Sequence, residues 1–322
     1  MQATKTSSSD TGVSRLSSLL SRTGLLFAVI ILFVALAVFA PNFMTQRNLL
    51  NVLLAVSFNG IIACGMTFII IQGDIDVSVG AAVAWCSSLL GVLAIKEGWP
   101  LGLAVVVVLA QQVLIHGTAG YIRSRWAVPA FVVTLTLFLS LRGAARLITN
   151  AYPITPFPDS FNFWGGGRLL DKIPVPVVIM LVVFAIFYFI STRTVYGRSV
   201  YSVGGNEEAA RLSGIRVGRT RITTFAVIGF LSAFAAVLLS SRIMSGSSNI
   251  AEGLEFEVIA AVIIGGTSLA GGAGSIFGTL LGVIFIGLLG NGMVLMGINP
   301  FAQQVVRGLI ILVAVLISVV RK

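Results

Sequence analysis

Long apolar runs follow one another along most of the chain, and short polar or glycine- and proline-containing segments separate them. Runs such as 101–110 and 179–190 are apolar on every face, as in a helix that crosses a membrane. A transmembrane barrel would instead alternate apolar and polar residues over segments of about ten residues. The pattern therefore predicts an all-α polytopic transmembrane helical bundle.

The apolar runs predict about ten spans, because a bilayer-spanning helix needs about 20 residues. The predicted spans are 24–40, 50–71, 79–95, 101–121, 127–148, 174–192, 222–241, 257–270, 275–291 and 303–320. The first run is longer than the apolar core of a signal peptide, which has about 7–15 residues, so we expect a spanning helix there. The polar residues 1–22 are expected to form a disordered cytoplasmic tail, and 23–322 the membrane domain.

The composition supports a membrane protein, because 57% of the residues are hydrophobic and 10% are charged, whereas a soluble domain has about 25% charged residues. Lys and Arg number 21 against 11 Asp and Glu, a net charge of +10. In a soluble chain this excess would suggest a nucleic-acid partner, but cytoplasmic loops of membrane proteins also collect basic residues. The arginines concentrate at 123–125, 193–221 and the C-terminus. We therefore expect both termini in the cytoplasm and no nucleic-acid partner.

Two glycine-rich regions, 60–80 and 265–292, are unlike plain lipid-facing helices. Interrupted helices are tolerated in a membrane where protein or water satisfies the freed backbone groups, so we expect these regions to surround a cavity. The general frequency of glycine in membrane helices is the alternative explanation. A weak internal sequence similarity between residues 116–143 and 291–308 suggests an inverted repeat of the kind that transporters contain.

The loop at 193–221 carries six Arg and two Glu. Asn206 can cap a short helix whose first turn holds Glu207 and Glu208, and Gly214 can end that helix. A solvated surface helix would explain this pattern. Against that explanation, the small residues at 209–210 give the helix the shape of a knob that could seat in a groove on another protein.

This loop resembles the coupling-helix region of the ribose and simple-sugar type permeases of ATP-binding cassette (ABC) importers, a family that includes autoinducer-2 and nucleoside permeases. Three further stretches are similar to motifs of that family. Residues 73–80 resemble Gly-Ile-Asp-Leu-Ser-Val-Gly, and 129–136 resemble Pro-x-Phe-x-x-Thr-Leu-x-Thr. Residues 253–278 resemble its long Ile-Ala-Ala and Gly-Gly signature. The similarity covers roughly residues 45–320.

The resemblance implies a multi-pass subunit of the bacterial cytoplasmic (inner) membrane that pairs with a second permease, identical or different. Cytoplasmic ATP-binding cassette ATPases would drive it, and a periplasmic or lipid-anchored binding protein would deliver a small solute. The residues implied to couple to the ATPase are Gly205, Asn206, Glu207, Glu208, Ala209, Ala210, Arg211, Ser213 and Gly214. The sequence has no Gly-x-x-x-x-Gly-Lys-Ser/Thr phosphate loop, so we expect no enzyme activity and no cofactor.

Five polar residues are candidates for the translocation pathway: Asn59, Gln72, Asp74, Asp76 and Ser78. A carboxylate and a hydroxyl can exchange hydrogen bonds with a passing polyol. Asp76 could equally cap the helix that begins near Ser78, and the two roles are compatible.

Other polar residues have competing explanations. Glu255 and Glu257 precede the eighth predicted span on the outer side, where they could contact the binding protein or be solvated. Asp74, Gln112 and His116 depart from the family pattern. For His116 the alternatives are a structural hydrogen bond and a proton-transfer role.

The expected solute is a sugar or a sugar-like molecule, because the predicted core holds few charges. Nucleosides and autoinducer-2-like solutes are alternatives within the same family. An ion-coupled secondary transporter could use Asp74 and Asp76 as carriers, but it would not require the loop at 193–221. An intramembrane enzyme is disfavoured, because the chain has one His and no His-Glu-x-x-His motif.

Overall fold

A computed structural model describes residues 10–170 and 172–320, most of which are helical. In this part of the chain the α-helices are α1 (Asp10–Phe39), α2 (Gln46–Ile71), α3 (Val79–Gly91), α4 (Leu101–Trp126), α5 (Ala130–Thr149), α6 (Asn162–Gly166), α7 (Val175–Arg193), α8 (Val195–Gly205), α9 (Glu207–Leu212), α10 (Val217–Ile243), α11 (Leu254–Ile264), α12 (Ile276–Leu295) and α13 (Pro300–Val320). A π-helical segment, Val92–Lys96, continues α3. Two short antiparallel strands, β1 (Arg168–Leu169) and β2 (Ile173–Pro174), precede α7.

Seven helices of the described chain are long and apolar enough to cross a membrane: α2, α3 with its π-helical continuation, α4, α5, α7, α10 and α12. This confirms the predicted all-α polytopic class. The other three predicted spans correspond to the apolar part of α1, Gly24–Phe39, and to α11 and α13, which are not among the seven. The count of about ten spans and the inverted repeat stay predictions.

Two helix boundaries differ from the predictions. The eighth span was expected at 257–270, but α11 ends at Ile264, and 265–275 form a non-helical loop. Gly266 adopts a φ of +89°, a left-handed conformation that glycine accepts without strain and that ends helices. At the other end of the chain, residues 1–9 of the predicted tail lie outside the described residues. From Asp10 the chain is helical, because extending an existing helix costs far less than starting one.

The core is organised around α2, whose residues from Gly60 to Ile71 are all buried. Helices α7, α10, α11 and α12 pack around it, and α4 lies along α10. Gly229 allows α10 and α4 to approach closely. A Cβ atom at this position would lie 2.7 Å from the backbone oxygen of Gln112 and 2.7 Å from Cβ of His116, both on α4. The α2–α3 turn, residues 72–78, is therefore enclosed by helices, and all its residues except Gly73 and Ile75 are buried.

Candidate functional site

The loop at 193–221 folds into two short helices, α8 and α9. The Asn206 side chain accepts a hydrogen bond from the backbone N–H of Ala209 at 2.9 Å, so the predicted capped helix is confirmed. Gly214 follows with a φ of +83°, as expected for a residue that ends a helix. On its inner side, Ala210 packs against Val203 and Val217. This apolar contact fixes α9 on the body of the protein.

The rest of α9 faces outward. Leu212 is 82% exposed, an unusual position for a large apolar side chain. Of the residues implied to couple to an ATPase, Gly205, Asn206, Glu208, Ala209, Arg211, Ser213 and Gly214 are exposed, Glu207 is intermediate and Ala210 is buried. The loop thus offers another protein a small surface with an apolar centre and a charged edge.

Asp74 lies in the α2–α3 turn, and arginines hold both of its carboxylate oxygens. Nε of Arg123 on α4 donates to Oδ1 at 2.9 Å, and Nε of Arg221 on α10 donates to Oδ2 at 3.2 Å. The amide of Gln72 donates to Oδ2 at 3.3 Å. The Asp74 side chain is 1% exposed, and paired arginines offset the cost of burying such a charge.

Arg221 makes a second ion pair, with Glu207 on α9. Its Nη2 donates to Oε2 of Glu207 at 2.9 Å, and Oε1 of Glu207 accepts from Arg211 at 3.1 Å. The Arg221 guanidinium, through this charge-assisted hydrogen bond, holds the pKa of Glu207 below its usual range. Because both contacts use one guanidinium, Arg221 connects the α2–α3 turn directly to α9.

Asp76 belongs to a separate buried cluster. Its Oδ1 accepts from the hydroxyl of Ser78 at 2.6 Å and from the backbone N–H of Ser78 at 2.8 Å, and its Oδ2 lies 3.4 Å from Nε2 of His116. The amide of Gln112 contacts Nδ1 of His116 at 2.9 Å. These four side chains are completely or almost completely enclosed, so they tie α3 to α4.

A cavity of about 880 Å³ opens between α2, α11, α12 and α13. At its wall, the amide of Asn59 donates to Oε2 of Glu257 at 2.9 Å, and Arg307 is hydrogen-bonded to Oε1 of the same carboxylate. Further amides of the lining come from Asn51, Asn291 and Gln304. The size lies within the range of about 300–1,000 Å³ that is typical of small-molecule sites.

The predicted pathway residues are thus divided between three places. Asn59 lines the cavity, Gln72 and Asp74 lie in the Arg123–Arg221 network, and Asp76 and Ser78 lie in the cluster with His116. Glu255 is 2% exposed and lines the cavity, and its predicted contact with a binding protein stays a prediction. Glu257 borders the cavity, where its two partners hold it.

Sequence reasoning did not include Arg123, Arg221 and Arg307 in the site. An excess of arginine near helix ends was the available signal, but it indicated orientation rather than ion pairing. Within residues 10–170 and 172–320, no group of three or more His, Cys, Asp and Glu side chains is placed to hold a metal ion.

Comparisons with known proteins identify the family. Residues 48–315 match the family model described as the permease component of branched-chain amino acid transport systems. The chain is 48% identical to the "Probable ABC transporter permease protein YphD" of Escherichia coli K12, over 93% of this chain and 90% of that protein. It is 38% identical to the ribose import permease protein RbsC of Bacillus subtilis, over 93% of both chains.

The L-arabinose transport system permease protein AraH of Escherichia coli K12 is 36% identical, over 91% of this chain and 89% of that protein. No solved structure matches the chain. The chain belongs to this permease family, which confirms the resemblance seen in its motifs.

Proposed function

We propose that the chain is the permease subunit of an ABC importer that carries a sugar across the bacterial inner membrane. Two permeases, identical or different, form the path, cytoplasmic ATPases bind the α8–α9 loop, and a binding protein delivers the sugar. The chain crosses the membrane about ten times, with both termini in the cytoplasm. Since ATP is hydrolysed on the partner, the chain itself is not an enzyme.

The cavity between α2 and α11–α13 is the observation that carries this proposal. Its amides can both donate to and accept from sugar hydroxyls, as a polyol requires. Three glutamates line it: Glu257 is ion-paired with Arg307 and Glu252 with Arg146, which lowers their net charge, and Glu255 is 2% exposed. Relatives named for ribose and L-arabinose transport support a pentose-like cargo.

The exposed face of α9 supports the docking of an ATPase. Leu212 and Ala209 provide an apolar contact, and Glu208 and Arg211 provide charges beside it. An apolar centre within a polar rim is typical of a protein interface. A secondary transporter would have no use for such a surface, so this feature favours the ABC importer over the ion-coupled alternative.

The test is transport by the whole complex. The tagged chain is purified from its native membrane with its bound partners and reconstituted into liposomes, and uptake of labelled D-ribose, L-arabinose and L-leucine is measured with and without internal ATP. We expect ATP-dependent uptake of a pentose and none of L-leucine. Uptake of L-leucine, or uptake that needs an ion gradient and not ATP, would overturn the proposal.

Reversing one charge on α9 tests the docking part separately. Glu208→Arg is expected to reduce the recovery of the ATPase with the tagged chain, because it removes a negative charge from the edge of the contact surface. Glu97→Arg, a charge reversal at an exposed position outside the loop, is the control. Equal recovery of the ATPase with both variants would show that α9 is not the docking surface.

A further inference from the structure

The α9 helix is linked to the interior of the protein by three charged residues, Glu207, Arg221 and Asp74, which we call the Asp74 ion-pair chain. Glu207 lies on α9, Arg221 in the first turns of α10, and Asp74 in the enclosed α2–α3 turn. The two contacts of Arg221, 2.9 Å to Glu207 and 3.2 Å to Asp74, come from one planar guanidinium. A displacement of α9 therefore acts on the turn through a single rigid group.

The two contacts differ in strength because their surroundings differ. The inner pair is enclosed, with side-chain exposures of 7% for Arg221 and 1% for Asp74, whereas Glu207 is 38% exposed. Separating an enclosed pair leaves an uncompensated buried charge, which is strongly unfavourable. Arg221 and Asp74 are thus expected to move together. The ion pair between Glu207 and Arg221 connects α9 to both of them.

The α2–α3 turn, in which Asp74 lies, contacts several helices. Arg123 of α4 donates to the other carboxylate oxygen of Asp74. Two residues further along the turn, Asp76 contacts His116 of α4 and Ser78 at the start of α3. The carbonyl of Ile71, the last residue of α2, accepts from Gly272 of the loop between α11 and α12 at 2.8 Å. The turn is therefore joined to α2, α3 and α4.

We infer that the Asp74 ion-pair chain transmits displacement of the docking helix α9 to the α2–α3 turn, so that Glu207, Arg221 and Asp74 are positioning residues for transport. The inference rests on the proposed function, since it takes α9 as the contact with the ATPase. It adds a role for Asp74, which lies away from the cavity between α2 and α11–α13, and explains why a carboxylate is buried between two arginines.

A pair of charge-neutralising substitutions provides the test. Glu207→Gln removes the charge that contacts Arg221, whereas Glu97→Gln removes an exposed charge outside the loop at 193–221. In the reconstituted complex, ATP hydrolysed per D-ribose imported is expected to rise about threefold or more for Glu207→Gln and to stay unchanged for Glu97→Gln. Unchanged recovery of the ATPase distinguishes this effect from lost docking.

Asp74→Asn tests the inner end, with the same expected rise in ATP per imported sugar. Because this variant leaves two arginines without their partner and could fail to fold, Glu207→Gln carries the decision. A ratio equal to that of the unaltered complex for Glu207→Gln would overturn the inference.

A second measurement does not depend on transport. Hydrogen exchange of the full-length chain in detergent is followed at residues 72–78 and 207–212. Glu207→Gln is expected to accelerate exchange in both segments, although the substitution lies in only one of them, and Glu97→Gln in neither. If the complex imports no sugar and Glu207→Gln still accelerates exchange at 72–78, the proposed function fails and the link stands. Unchanged exchange at 72–78 overturns the link itself.

Discussion

Replacing Gly204 of α8 with alanine should destabilise the protein, whereas the same change at Gly205 should not. A Cβ atom at position 204 would lie 1.7 Å from the carbonyl oxygen of Ile71 and 2.8 Å from the backbone nitrogen of Gly272. Those two atoms form a hydrogen bond of 2.8 Å. At position 205 the nearest atom is Cα of Gly272, 4.0 Å away, an ordinary contact distance.

The size of the effect follows from what the methyl group meets. The clashing atoms belong to the backbone, so no side-chain rotation can relieve the overlap, and overpacking of this kind costs about 1–3 kcal/mol. Displacing Gly272 also breaks its hydrogen bond to Ile71, at a further cost of about 1–3 kcal/mol. Together these give about 2–6 kcal/mol, or a fall in Tm on the order of 10 °C.

Thermal unfolding of the detergent-solubilised protein measures this difference directly, by the loss of its monodisperse peak in size-exclusion chromatography after heating. Gly204→Ala is expected to unfold well below the unaltered chain, and Gly205→Ala at the same temperature or slightly above it. Equal unfolding temperatures for the two variants would refute the close approach of α8 to the end of α2.

Three further results are expected. Asn59→Leu removes an amide from the cavity and should raise the KM of sugar uptake about tenfold, the equivalent of about 1.4 kcal/mol in binding, as measured in reconstituted liposomes. His116→Ala removes a partner of the buried carboxylate of Asp76 and should lower stability by about 1–3 kcal/mol in thermal unfolding. Arg221 lowers the pKa of Glu207, so this contact should stabilise α9 fully above the ordinary carboxyl pKa of about 4.3. Protection of α9 from hydrogen exchange should then be lost as the pH falls through the lowered pKa.

Local features of the sequence predicted local structure well. The cap at Asn206 and the glycine at 214 bracket α9, because these signals act within a few residues of the helix end that they define. Uninterrupted apolar runs likewise located α2, α4 and α7. Hydrophobicity alone did not show that α11 ends at Ile264, because the predicted span continued into the glycine-rich residues 265–270, which form a loop.

The environment of each acid could not be predicted in the same way. Asp74 and Asp76 are two residues apart, yet one is held by Arg123 and Arg221 and the other contacts Ser78 and His116. Arg221 is far from Asp74 in sequence, and only the packing of α4 and α10 around the α2–α3 turn brings them together. Helix packing of this kind depends on the whole chain and has no signal in the motif itself.

If the loop at 193–221 docks an ATPase as proposed, the position of Asp74 limits how that loop could be transplanted. An engineer who wishes to make this permease accept another ATPase would naturally exchange residues 193–221 as a block. That block contains Glu207 and Arg221 but leaves Asp74 and Arg123 behind in the recipient. A chimera is therefore expected to function only when the α2–α3 turn and the end of α4 that carries Arg123 are exchanged with the loop, so that the three segments form one transferable unit.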